Sequence, residues 1–178
     1  ELIDMDTMHT IEKAARAINP DVLLISEPWS LRGENKHELT GTEWSAWNNE
    51  FRYAAKDFIM GRHNRDWLKN CIFGSMNSWA ATPLQAINYL ESHDDMALAD
   101  ELCSHPDRNG KILLKEDAAA NRMGATILFT SLGIPMIAEG QEFLRHKEGL
   151  KNTYNMGDRI NAIDWELRKR PLAAEAME

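Results

Sequence analysis

Cysteine is nearly absent from this chain: 178 residues hold two, Cys71 and Cys103. No CxxC spacing joins them, which excludes a disulfide-stapled scaffold and a cysteine-rich metal site. The pair is either one bridge or two buried thiols, and the spacing favours thiols. Long apolar runs are missing as well. No stretch approaches the roughly 20 apolar residues that span a bilayer, so no membrane partner is expected. No charged-then-apolar leader opens the chain. Its first residues, Glu1-Leu2-Ile3-Asp4, carry no initiator Met and read like the middle of something longer, which leaves the compartment open. A basic surplus is also lacking. The net charge is −8 and the 20 Lys and Arg are dispersed, which argues against nucleic acid as a partner. The histidines, His9, His37, His63, His93, His105 and His146, form no H-x-x-x-H pair, and no EF-hand spacing occurs. No glycine-rich phosphate loop follows any apolar run. Neither a metal nor any other cofactor is expected.

What is present is a regular alternation. Hydrophobic residues make up 43% of the chain, enough for one globular core. Met8, Ile11, Ala14, Ala15 and Ile18 recur at three and four, predicting a helix stopped by Asn19-Pro20. Val22 to Ile25 is a short continuous apolar run, the pattern of a parallel strand buried on both faces. Ala86 to Leu90 and Ile134 to Ala138 have the same look, with a helix predicted over Asp117–Leu132 between them, closed by Gly133. A weaker strand is predicted at Trp44 to Trp47, followed by helical stretches near 51–60 and 65–73. Helix alternating with strand predicts a parallel α/β sheet.

Parallel α/β folds place their sites at the C-terminal ends of the strands. The carboxylates there are Glu27, Glu91, Asp94, Asp95, Glu139 and Glu142. An acidic mouth suits either a divalent metal or acid/base work on a neutral polyol, and the histidine spacing speaks against the metal. Six tryptophans, with Trp29 beside Glu27, supply flat apolar surfaces for sugar rings. Each feature alone has a plainer reading: tryptophans and the nine methionines fill cores, and a strand-end Glu is commonly just solvated or paired.

Three segments in order, Ile25-Ser26-Glu27-Pro28-Trp29, Asn88-Tyr89-Leu90-Glu91-Ser92-His93-Asp94 and Gly140-Gln141-Glu142-Phe143-Leu144, resemble successive signature regions of the α-amylase superfamily of glycoside hydrolases. The string from Asn152 to Trp165 resembles the pullulanase-type branch, as does Trp47-Asn48-Asn49-Glu50-Phe51-Arg52. The resemblance covers nearly the whole chain. It implies a partial (β/α)8 barrel, from about the fourth helix through the eighth strand, with residues 1–178 forming the C-terminal half of a catalytic domain within a longer chain. It implies Glu27 as general acid/base, Asp94 as the carboxylate stabilising the transition state, and His93 on a sugar hydroxyl. Trp29, Asp95, Tyr154, Asn155 and Asp158 are the further candidates for binding substrate.

The implied reaction is retaining hydrolysis of α-1,6 branch linkages in pullulan, starch or glycogen, with an α-glucan as partner. Two differently placed carboxyl groups suit it, one to protonate the leaving oxygen and one to face the oxocarbenium-like state. A retaining mechanism also needs a nucleophilic carboxylate, which the resemblance places upstream of this chain; Asp4 and Asp6 fall in the connection to a helix and do not replace it. Two departures bear on specificity: Asp95 stands where the family commonly has Asn, and Ala162 where it often has Arg, with Arg159 nearby. The alternatives are an α-1,4-glucan amylase, a branching enzyme, or a non-catalytic glucan-binding relative. Half a barrel leaves two sheet edges open and apolar strand faces uncovered, at about 25 cal/mol per Å². Such a chain either meets the rest of its barrel or self-associates through those edges.

Overall fold

Asp4 opens the first helix by accepting the Thr7 amide at 2.9 Å and the Thr7 hydroxyl at 3.0 Å. These bonds hold its pKa below the ordinary aspartate value, the signature of an N-cap. Helix α1 (Met5–Ile18) ends where Asn19 turns its amide back to the Ala15 carbonyl, just before Pro20. The computed structural model describes residues 4–30, 33–62, 64–104 and 112–178; Glu1 to Ile3, His63 and His105 lie outside them.

Four short strands follow: β1 (Leu24–Ser26), β4 (Trp44–Asn48), β5 (Ala86–Asn88) and β6 (Ile134–Pro135). They pair in parallel in the order β1-β4-β5-β6. All four predicted runs contain a strand, and the one thought weaker, β4, is the longest. The alternation fails in one place. Between β1 and β4 the described residues form no α-helix but an antiparallel pair of β2 (Trp29–Ser30) and β3 (Gly33–Glu34), then a 3-10 turn over Lys36–Leu39. This segment is broken by Pro28, Gly33 and Gly41 and has no apolar period of 3.6, so it offers no helix face to bury. Helices α2 (Asn49–Ile59) and α3 (Arg65–Ile72) both lie between β4 and β5, and α4 (Leu98–Cys103) and α5 (Lys115–Thr130) between β5 and β6. Two small helices, α6 (Asp158–Asn161) and α7 (Pro171–Met177), follow β6.

Strand registry sorts the sheet residues. Leu24 pairs with Trp44, Ala46 with Ala86 and Asn48 with Asn88, so these share one face. That face is covered: Met8 of α1 packs with Leu24, Trp44, Ala46 and Ala86. Farther along, Leu90 packs with Phe51, Leu68, Leu98, Ile127 and Leu128 from four helices. The opposite face carries Ile25, Ser45, Trp47 and Ile87. The α1 stripe is only half used, since Met8 is buried while Ile11 and Ile18 are exposed. The helix sits over β1, an edge strand, and no described strand lies beyond it to cover the rest. Leu23 and Ile25 at that edge are likewise half exposed.

Polar side chains lock the covered face. Asn48 caps α2 through the Phe51 amide and donates to Ser75 and Asn88, each at 2.9 Å; Asn88 donates to the Leu132 carbonyl at 3.0 Å. The chain passes beside this ladder at Gly133. There φ is +126°, and an added Cβ would lie 2.6 Å from Asn88 Nδ2 and 2.9 Å from the Ala86 carbonyl oxygen. Only glycine fits. The two cysteines are free, buried thiols, and burial pushes Cys71 up to about 11.

Candidate active site

The strand ends deliver the site. Glu27 follows β1 directly, and residues 91–95 follow β5. His93 stands between the two carboxylates, with Nε2 3.9 Å from Glu27 Oε1 and 3.6 Å from Asp94 Oδ2. All three side chains reach solvent, with relative exposures of 26% for Glu27, 51% for His93 and 45% for Asp94. The imidazole edge meets the Trp47 ring at 5.5 Å, and Trp47 in turn tilts against Tyr89 at 5.4 Å. Two carboxylates and an imidazole that substrate can reach form a set able to move protons.

Beside them lies a cavity of about 430 Å³ lined by the rings of Trp29, Trp47, Tyr53, Tyr89 and Tyr154 and by the polar side chains of Asn49, Arg52, Asp94, Asp95 and Asn152. Flat rings together with hydrogen-bonding groups suit a polyol with apolar faces. Trp29 arrives there because the β2–β3 pair is pinned from behind. Its partner across the pair, Glu34, binds buried Lys36 at 2.8 Å, and Lys36 also reaches Glu50 at 3.0 Å and Asn49 at 3.1 Å on the first turn of α2. Arg52 is buried between the rings of Tyr53 and Tyr89, 5.6 and 5.7 Å from their centres, and pairs with Asp95 at 2.9 Å. Burial works against its charge; Tyr89 and the Asp95 carboxylate outweigh that and raise its pKa. A larger cavity, about 520 Å³, lies between α4 and α7 with apolar walls that include Phe143, Leu144 and Leu172; none of the candidate residues lines it.

Not every strand-end carboxylate belongs to this mouth. Glu91 is 1% exposed; Oε2 accepts the Leu98 amide at 2.8 Å at the start of α4, and Oε1 is buried without a hydrogen bond. Burial pushes its pKa up to about 7, against the opposing pull of the Leu98 amide, Lys147, Arg145 and Lys56. Glu142 accepts the Gly140 amide at 3.1 Å and closes its own turn. Of the expected substrate-binding residues, Trp29, Asp95 and Tyr154 line the cavity and His93 borders it. Asn155, beside Tyr154, and Asp158, at the start of α6, are exposed and do not line it. Arg159 pairs with Glu148 at 3.2 Å on the surface. Reasoning from sequence did not single out Tyr53, Tyr89, Arg52 or Asn152 as site residues. Arg52, Tyr89 and Asn152 each stood inside a motif and could have been found there, whereas nothing local in sequence marks Tyr53.

No protein-family model matches the chain. Among curated proteins it is 30% identical, over 193 aligned positions, to the pullulanase of Bacillus subtilis (strain 168); the match takes in 94% of this chain and 26% of that protein. The chain matches a fragment of debranching enzymes of the α-amylase superfamily. Among solved structures, pullulanase from Bacillus acidopullulyticus superposes with a TM-score of 0.83 at 29% identity, covering 96% of this chain and 24% of that one. Pullulanase from Anoxybacillus sp. LM18-11, solved with maltotriose, gives 0.85 at 26% identity, covering 98% and 27%. The chain thus spans about a quarter of the length of these relatives. The four parallel strands are part of an α/β barrel, which accounts for β1 and β6 lying at open edges.

Proposed function

We propose that this chain is the C-terminal half of the catalytic barrel of a retaining enzyme that hydrolyses α-1,6 branch linkages in pullulan, starch or glycogen. The observation that carries the reading is the pair of accessible carboxylates, Glu27 and Asp94, flanking His93, with Asp94 lining the cavity of aromatic rings. In this reading the Glu27 carboxyl gives its proton to the glycosidic oxygen as the bond to C1 breaks, and a carboxylate elsewhere in the whole enzyme takes C1. Asp94 opposes the positive charge that develops on the ring, and His93 holds a sugar hydroxyl. Glu27, now ionised, takes a proton from water as that water releases the sugar from the enzyme. Trp29, Tyr154 and Asp95 hold neighbouring sugars, with Asn155 and Asp158 farther out. The relative solved with maltotriose supports an α-glucan as the ligand. Among the described residues Asp4 is committed to capping α1, consistent with a nucleophile supplied from upstream.

The test is hydrolysis of pullulan and of amylose by the full-length enzyme, with Glu27→Gln alongside. Maltotriose released from pullulan, and lost in Glu27→Gln, supports the reading. Turnover of amylose alone moves the activity to α-1,4 linkages. Glucan bound without turnover of either polymer identifies a binding protein.

A further inference from the structure

Asp95 adopts φ +60°, a left-handed backbone that residues with a Cβ seldom take, although Asp and Asn tolerate it best. Three polar contacts from distant parts of the chain hold it there. Its amide donates to Asn152 Oδ1 at 2.7 Å, the Asn152 amide donates back to the Asp95 carbonyl at 3.1 Å, and the Arg52 guanidinium grips its carboxylate at 2.9 Å. Arg52 is 5% exposed and wedged between two tyrosine rings, so it is a fixed post. Asn152 is itself left-handed at φ +51°, and two residues on, Tyr154 enters the cavity wall. Little apolar surface is covered by this arrangement, since the Asp95 side chain stays 47% exposed. A strained residue held by three contacts from two distant residues, with nothing gained for the core, is the kind of restraint that marks functional sites.

From this geometry we infer that Asn152 and Arg52 are positioning residues that hold Asp95 left-handed and so fix where the adjoining Asp94 carboxylate stands. The inference rests on the reading of Asp94 as a catalytic carboxylate. Released from the clamp, the turn relaxes toward ordinary backbone and swings Asp94 away, while most of the substrate-binding surface is left in place. The cost therefore falls on kcat.

The experiment compares Asn152→Ala, Arg52→Lys, Asp95→Ala, Asp95→Gly and Asp94→Asn in the full-length enzyme on pullulan, with melting temperatures to confirm folding. Asn152→Ala is expected to lower kcat on the order of 10- to 100-fold while KM moves less than about threefold, and Arg52→Lys to lower kcat by roughly fivefold or more. Asp95→Gly and Asp95→Ala both lose the carboxylate, but glycine takes φ +60° freely; Asp95→Gly is expected to keep a kcat at least about fivefold higher. Unchanged kcat in folded Asn152→Ala, or equal kcat in the two Asp95 variants, overturns the positioning role while an inactive Asp94→Asn leaves the proposed function standing. Wild-type turnover in Asp94→Asn overturns both.

Discussion

Glu27 and Glu91 each follow a parallel strand of the same sheet, yet they belong to different regions of the molecule. Glu27 is part of a front row with His93, Asp94 and Asp95, all reached by solvent; Asp94 and Asp95 line the cavity with its aromatic rings, and Glu27 lines a neighbouring one with Ile25, Leu39 and Trp44. Glu91 belongs to a back row with Asn48, Asn88 and Asp100, all buried and committed to backbone or amide partners. Strand-then-carboxylate is one pattern in sequence, and burial splits it into two jobs. An accessible carboxylate can exchange a proton with a ligand, whereas a buried one that accepts a helix amide can only hold backbone in place.

The sharpest break between the rows is kinetic. Asp94→Asn in the full-length enzyme is expected to lose on the order of 10²- to 10⁴-fold in kcat with a melting temperature within a few degrees of the parent. A comparable loss of stability would put Asp94 in the back row. The reverse holds for Gly133→Ala, which forces a Cβ into the Asn88 side chain and the Ala86 carbonyl at a φ of +126°. Denaturant unfolding should show about 2–4 kcal/mol lost.

The pH dependence of stability sharpens the comparison further. Glu91 has its folded pKa raised from about 4.5 to about 7, so the folded protein keeps this proton longer than the unfolded chain does. Its contribution is therefore most favourable at low pH and declines as pH rises from about 4.5 through about 7, by on the order of 1–3 kcal/mol. Unfolding measured across that window should show this decline in the parent and its absence in Glu91→Gln. An identical slope in both would place the carboxylate in water. The smallest effect is expected at Arg159, whose partner Glu148 is exposed too; Arg159→Ala should shift stability by less than about 0.5 kcal/mol.

Much of this was legible in sequence because the period is local. Val22 to Ile25, Ala86 to Leu90 and Ile134 to Ala138 announce strands, of which β5 alone is buried throughout, and the residues after them are placed by the geometry of a parallel sheet. The strands proved shorter than the apolar runs, since β6 pairs only over Ile134–Pro135. What was hidden depends on contacts between distant residues. Asn152 lies 57 positions from Asp95, and no local period tells that its amide returns there. Tryptophan content did not say which rings face the ligand: Trp29 and Trp47 line the cavity, whereas Trp44 and Trp79 are core. The exposure of Ile11 and Ile18 was equally hidden, because an amphipathic stripe shows what a helix can bury and not what lies beside it.

The central claim is that Glu27 is the proton donor, and the leaving group tests it most directly. Full-length Glu27→Gln should be compared with the parent on pullulan and on an aryl α-maltotrioside whose phenol leaves without protonation. The account predicts a loss on pullulan on the order of 10²- to 10⁴-fold, and a far smaller loss in the first burst of phenol from the activated substrate. Equal losses on both substrates would contradict it.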